Sequence, residues 1–381
     1  MSSSTFSSRH LVAPIVLASL ALASCNSNQP AETADATTAP ATTTMPTAGS
    51  GVAAIKPTGP APEWAPNMAP EMLAVIEKLD SLSGPTPPHK LTPAEVRKAP
   101  SFREAMMAVM QKYNIPAPHT TIDTMSQMVS PGLKVRIYTP QGATGPLPVI
   151  VYYHGGGWVI ANLDTYDASQ RALAAKTNAI LVGVAYRQGP ENKFPAAHDD
   201  SFAAYQWVLK NAGSFKGDPK RVAVAGESAG GGLAAAVSIM ARDKGVQAPK
   251  HQLLVYPIAG YDMNTPSYQQ HTKSKPLYKD FMAWFFKNYL RTPADGKNPM
   301  IDLVNAPNLK NLPPATVISA GIDPLMSEGK TYADKLQAAG VPVTYKLYPD
   351  VAHEFFGMGA VVPQAEEAEN LAANELKNAL K

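Results

Sequence analysis

Apolar positions along this chain follow two rhythms, and the order in which they alternate predicts an α/β architecture. Residues 133–138 (LKVRIY) alternate apolar and polar, the period of a half-buried strand. Residues 149–153 (VIVYY) are apolar or aromatic throughout, as a strand covered on both faces requires. Residues 180–185, 222–225, 253–256, 316–319 and 343–347 read the same way. Between them, residues 169–177, 199–211, 229–243, 327–339 and 366–380 carry helical spacing. Strands alternating with helices predict a mostly parallel, doubly wound sheet, whose chemistry gathers beyond the carboxyl ends of its strands. Two helices are expected ahead of these strands. One spans 71–82, with Met72, Val75, Ile76 and Leu79 on a face, and one spans 92–110, with Phe102, Met106, Val109 and Met110.

The amino-terminal sixty residues follow neither rhythm. After Arg9 comes an apolar run from Leu11 to Ala23, broken by Pro14 and Ser19. It is short of the ~20 residues a membrane-spanning helix needs, but suits the apolar part of a secretory leader. The run closes on Leu22, Ala23, Ser24 and Cys25, which resembles a bacterial lipobox, so residues 1–24 are expected to be a leader and Cys25 to carry lipid. Residues 25–62 are rich in Ala, Thr and Pro, a composition that buries too little apolar surface to fold, and are expected to be a disordered tether. This predicts an envelope protein anchored in a membrane through Cys25 and facing the periplasm or the cell exterior.

Composition narrows the function. Lys and Arg number 33 against 30 Asp and Glu over 381 residues, and a net charge of +3 leaves no basic footprint for nucleic acid. A single Cys excludes an intrachain disulfide, a Cys-based zinc site and a Cys-ligated iron–sulfur cluster. No metal-ligand cluster or cofactor motif stands out, so neither a metal nor a cofactor is expected. Oligomeric state has no signature in the chain.

Candidate chemistry lies where strands should end. Gly226, Glu227, Ser228, Ala229 and Gly230 form G-x-S-x-G between a strand and a helix, where small neighbours let a serine occupy a strained, exposed turn. A serine nucleophile needs a base and a group to orient it. Of the histidines after Ser228, His251 precedes a strand and His271 sits in a polar loop, whereas His353 follows the last strand. Asp323, directly after the strand at 316–319, is the acid candidate; Asp350 is its rival, although a short loop would have to fold back for it to reach the far ring nitrogen. His154, Gly155, Gly156, Gly157 and Trp158 follow another strand and offer backbone N–H groups for an oxyanion, with Ala229 completing the hole. His154 and His198 read as structural hydrogen-bonding residues.

In this order the motifs resemble the hormone-sensitive-lipase-like carboxylesterases of the α/β-hydrolase fold, from about Glu71 to the end. The resemblance implies Ser228 as nucleophile, His353 as base and Asp323 as orienter. It also implies Gly156, Gly157 and Ala229 as oxyanion donors, with Gly155 shaping the turn. A helical cap would be built from residues 63–120 and an insertion at about 261–299, over a catalytic domain at 121–381. Three positions depart from the family pattern: Glu227 before the serine, Gln188-Gly189 in the stretch from Tyr186 to Glu191, and Ser327 before Glu328. The second is expected to loosen a supporting turn and the third to weaken the surroundings of Asp323. Trp158, Phe281, Trp284 and Phe285 are candidates for a small apolar acyl slot, and Met106, Met107 and Met110 cluster in the second amino-terminal helix. The leading function is hydrolysis of short- to medium-chain carboxylic esters, small-molecule substrates, through an acyl-enzyme. An amidase or a glycan deacetylase would share the machinery, and a binding protein on a retired hydrolase fold would have lost a triad residue.

Overall fold

A computed structural model describes residues 52–118 and 120–381. The expected leader, Cys25 and the tether as far as residue 51 lie outside the described residues.

Eight strands form one sheet: β1 (Ile122–Ser130), β2 (Leu133–Pro140), β3 (Leu147–Tyr153), β4 (Ile180–Ala185), β5 (Gly217–Glu227), β6 (Gln252–Val255), β7 (Ala315–Ile322) and β8 (Val343–Ala352). Their order is β1-β2-β4-β3-β5-β6-β7-β8; β1 and β2 run antiparallel to their neighbours and the other pairs are parallel. The continuously apolar strands are continuous because both faces are covered. Val149, Val151 and Tyr153 of β3 belong to one core cluster, and Ile150 and Tyr152 to the other. The first cluster takes in α5 (Ala196–Asn211), α6 (Ala229–Asp243) and α9 (Met326–Ala338); the second takes in α4 (Asp167–Thr177) and α10 (Pro363–Ala379).

Before the sheet come α1 (Pro70–Leu82), the single turn α2 (Pro93–Val96) and α3 (Phe102–Lys112). The helix expected over 92–110 is thus two. Pro100 offers no N–H to a continuing helix and disfavours helical backbone at Ala99. The chain restarts at Ser101, whose N–H donates to the Glu104 carboxylate at 2.6 Å in a capping box. Met106 and Met110 are buried in the second core cluster, whereas Met107 is exposed.

The expected tether also ends earlier than Pro62. Val52 and Ile55 are buried in the second core cluster, and the Thr58 and Gly59 N–H groups donate to the Glu77 carboxylate of α1 at 2.6 and 2.8 Å. Two aliphatic side chains, each worth ~1.5–3 kcal/mol when fully buried, hold this stretch in a segment otherwise poor in large apolar residues.

β1 is an edge strand whose side chains are mostly exposed on both faces, so it carries no apolar alternation that would predict it. Residues 261–299 contain α7 (Pro266–Gln270) and α8 (Lys279–Tyr289). His89 Nδ1 lies 2.8 Å from the Tyr278 hydroxyl, and Lys275 pairs with Asp80 at 2.6 Å, so this insertion is tied to the amino-terminal segment. Among the described residues no helix is long and apolar enough to cross a membrane.

Candidate active site

Ser228 sits between β5 and α6 with φ 56° and ψ −120°, off the backbone regions an L-residue prefers. The small residues around it are required by contact. A Cβ at Gly226 would lie 2.1 Å from the Gly230 carbonyl oxygen, and one at Gly230 1.9 Å from that of Tyr153. The turn is pinned by Ser228 N–H donating to the Val255 carbonyl at 2.9 Å, and by Gly232 and Ile258 N–H groups donating to the Ser228 carbonyl at 3.1 and 3.0 Å.

β7 and β8 deliver the other two groups. His353, directly after β8, has Nε2 2.9 Å from Ser228 Oγ and Nδ1 2.6 Å from Asp323 Oδ2. Asp323, directly after β7, also accepts from Leu325 N–H at 2.8 Å. Asp350, the sequence rival, instead accepts from Gln364 Nε2 at 2.6 Å. His251 meets Thr316 within the sheet, and His271 is buried without a bond to Ser228. Burial lowers the basicity of His353, but the charge of Asp323, its hydrogen bond and the more distant Glu354 and Glu227 outweigh it, so its pKa lies above the ordinary value.

Facing Ser228 is the loop after β3. Gly156 has φ 94°, and a Cβ there would lie 2.3 Å from the Ile160 carbonyl oxygen. The N–H groups of Gly156, Gly157 and Ala229 donate to no backbone carbonyl of the described residues outside regular elements, and Ala229, first in α6, has no intrahelical acceptor. Gly155 plays a different part from these, since the hydroxyl of Tyr166 lies 2.2 Å from where its Cβ would be. His154 is structural: its ring stacks on Tyr186 at 4.4 Å, Nδ1–H donates to the Gly155 carbonyl at 2.8 Å, and burial pushes its pKa down to about 4 against that bond. His198 likewise spans Tyr289 and the Met300 carbonyl.

The departures from the family pattern turn out to be braced. Gln188 Nε2 donates to the Ile160 and Ala161 carbonyls, each at 2.9 Å, and Gly189 N–H donates to Trp158 at 2.9 Å. Arg97 clamps Glu191 through two 2.7 Å bonds and also reaches the Val159 and Gly189 carbonyls. The turn expected to be loose is therefore held from three sides. Ser327 exchanges two 3.1 Å hydrogen bonds with Ser267 of α7, which replaces the expected weakening near Asp323 with a tie to the insertion. Glu227 is fully buried and takes the hydroxyls of Tyr152 and Tyr256.

Ser228, His353, Gly156 and Gly157 open into a cavity of about 780 Å³. Its walls come from the amino-terminal segment (Leu79, Leu91, Val96, Phe102) and from the insertion (Leu277, Phe281, Met282, Phe285). This is larger than a small slot, and its outer part carries prolines together with Asp80, Lys273 and Lys275. Two expected pocket residues are not in its wall. Trp158, with a φ of 61°, is buried and stacks on Tyr289 at 4.9 Å. Trp284 points back to the amino-terminal segment, with Nε1–H donating to the Leu91 carbonyl at 3.0 Å. Sequence reasoning passed over Tyr166 and Glu354, which do line the cavity, because each is a lone polar residue outside any motif, and it singled out Gln188 only as a departure from the family pattern and not as part of the wall.

A hydroxyl, an imidazole and a carboxylate in line, beside unpaired N–H donors, is an arrangement suited to nucleophilic acyl transfer. Residues 150–357 match the sequence profile of an α/β-hydrolase-fold family. Carboxylesterase NlhH of Mycobacterium tuberculosis is 41% identical over 251 residues, 65% of this chain and 79% of that protein. The ethyl acetate hydrolase of Pseudomonas putida is 31% identical over 77% of this chain and 93% of its own length. Among solved structures, a thermostable esterase from Pseudomonas putida ECU1011 superposes with a TM-score of 0.76 at 31% identity, covering 83% of this chain and 99% of that one.

Proposed function

We propose that this chain, which belongs to the hormone-sensitive-lipase-like carboxylesterases of the α/β-hydrolase fold and hydrolyses carboxylic esters, does so through an acyl-enzyme on Ser228. The observation that carries this reading is the relay of 2.9 and 2.6 Å from Ser228 through His353 to Asp323, on the floor of a cavity. His353 Nε2 takes the Ser228 proton as Oγ attacks the ester carbonyl. Asp323 holds the Nδ1–H and stabilises the imidazolium. The N–H groups of Gly156, Gly157 and Ala229 receive the oxyanion, each such donor being worth ~10²–10³ in rate. His353 then protonates the leaving alcohol, and water repeats the sequence to release the acid.

Substrates are small-molecule esters with short to medium acyl chains. The apolar wall formed by Leu79, Leu91, Phe281 and Phe285 supports binding of acyl methylenes, each contributing ~0.8 kcal/mol, and the upper limit on chain length is carried by the resemblance in sequence rather than by the cavity's volume. Kinetics on a series of acyl esters test this reading: kcat/KM should rise from acetyl to butyryl or hexanoyl and fall by dodecanoyl. Ser228→Ala and His353→Ala should each abolish turnover, and the double variant should lose little more. An optimum at long-chain triglycerides with activation at an oil–water surface would contradict it.

At the amino terminus, Cys25 carries lipid and holds the enzyme at the cell envelope, facing the periplasm or the exterior. The support is sequence alone: the one Cys of the chain closes a leader-like run. Expressed in a bacterium with its own leader, the protein should fractionate with membranes, resist high salt and yield to detergent. An unmodified Cys25 found by mass spectrometry in the mature protein would end the proposal.

A further inference from the structure

Directly after His353, Glu354 adopts φ 71°, a left-handed conformation that L-residues with long side chains avoid. Glu354 lines the cavity. Glu354 Oε1 lies 3.9 Å from His353 Nε2 and accepts the Tyr166 hydroxyl at 2.7 Å. That hydroxyl occupies the space a side chain on Gly155 would need. Glycine in the loop after β3 thus admits the group that fixes Glu354. No hydrogen bond from a described residue reaches the second carboxyl oxygen, and the side chain keeps 20% of its surface accessible.

Nε2 is the atom that hands its proton to the departing alcohol, so a group beside Nε2 faces the alcohol half of an ester. We infer that Glu354 accepts a hydrogen bond from a hydroxyl on the carbon adjacent to the one bearing the ester oxygen, so that monoesters of vicinal diols are the preferred substrates. The two oxygens of such a diol lie about a hydrogen bond's length apart, which spans from the leaving oxygen at Nε2 to the carboxyl. Burial raises the Glu354 pKa, with the His353 charge and the Tyr166 bond opposing and Asp323 adding. The inference rests on the esterase reading above and names the alcohol it takes.

The test compares kcat/KM for hydroxyethyl, methoxyethyl and propyl butyrate, which share an acyl group and nearly a size. The wild-type enzyme should favour the hydroxyethyl ester over both others by roughly tenfold, the scale of one hydrogen bond to an ionised or strongly polar acceptor. Glu354→Gly removes the carboxyl and relieves the left-handed backbone, so the preference should fall to near unity. Glu354→Gln, which keeps an acceptor oxygen, should retain part of it. Should the glycine variant fail to fold, the wild-type contrasts still decide together, since the propyl ester matches the hydroxyethyl ester in size without the hydroxyl and the methoxyethyl ester keeps the oxygen without the donor. Equal wild-type rates, or a preference that survives Glu354→Gly, would overturn the inference while leaving the esterase reading intact. Failure of the wild-type enzyme to hydrolyse any of the three would instead remove both.

Discussion

The Tyr256 hydroxyl donates a 2.5 Å hydrogen bond to Glu227, the residue before Ser228, in an interior where Glu227 has no solvent exposure. Burial pushes the Glu227 carboxyl up to about 8, against the hydrogen bonds of Tyr152 and Tyr256 and with the Glu354 charge adding to it. In an unfolded chain the group ionises near 4.5, so between 4.5 and about 8 the native state holds a proton that the unfolded state has released. Its contribution to stability is complete below 4.5 and is lost as pH rises through about 8. Thermal unfolding should therefore show Tm falling from about pH 6 to about pH 9, and Glu227→Gln should flatten that fall. An unchanged slope in the variant would place the titration elsewhere.

The two aspartates near His353 separate cleanly in kinetics. Asp323→Asn leaves the ring without its anionic partner and should lower kcat by something on the order of 10⁴. Asp350, bonded to Gln364, should tolerate the same change with kcat within a few-fold of wild type. The reverse pattern with p-nitrophenyl butyrate would transfer the orienting role to Asp350.

The strand–helix order, the serine turn and the loop after β3 were legible because each is a local pattern with a mechanical reason: apolar periodicity, a Gly-flanked serine, a run of glycines after a buried strand. Other features depend on partners far away in sequence. The polar, doubly exposed β1 has no apolar rhythm, although Pro131 and Gly132 before β2 mark its turn. Trp158 was misplaced because its stacking partner, Tyr289, lies far away in sequence. Gln188 reads as a departure that loosens its turn until its bonds to the Ile160 and Ala161 carbonyls show it bracing the loop after β3. The break at Pro100 was legible in principle, from the proline and the Ser101-x-x-Glu104 box behind it.

Gly156 tests the oxyanion loop. Alanine there meets both a φ of 94° and a contact of 2.3 Å to the Ile160 carbonyl, so the loop must move. Gly156→Ala should cut kcat by roughly 10²–10³, the worth of one displaced donor, with a smaller change in KM. A variant as fast as wild type would exclude this loop from the oxyanion site.

The cavity wall should sort the aromatic residues of α8. Phe281→Ala or Phe285→Ala opens space in the cavity that holds Ser228 and should move the acyl optimum to longer chains. Trp284→Ala, outside that wall, should cost about 3–5 kcal/mol of stability with the optimum unmoved. Urea unfolding paired with the chain-length profile distinguishes the two classes.

The central claim is that Ser228 forms the acyl-enzyme, and covalent trapping tests it most directly. Incubation with a fluorophosphonate ester, followed by intact-mass measurement and peptide mapping, should give one adduct per chain, on Ser228, in proportion to lost esterase activity. Ser228→Ala should remain unlabelled and inactive. Complete inactivation with the adduct on another residue, or full turnover by Ser228→Ala, would contradict the account.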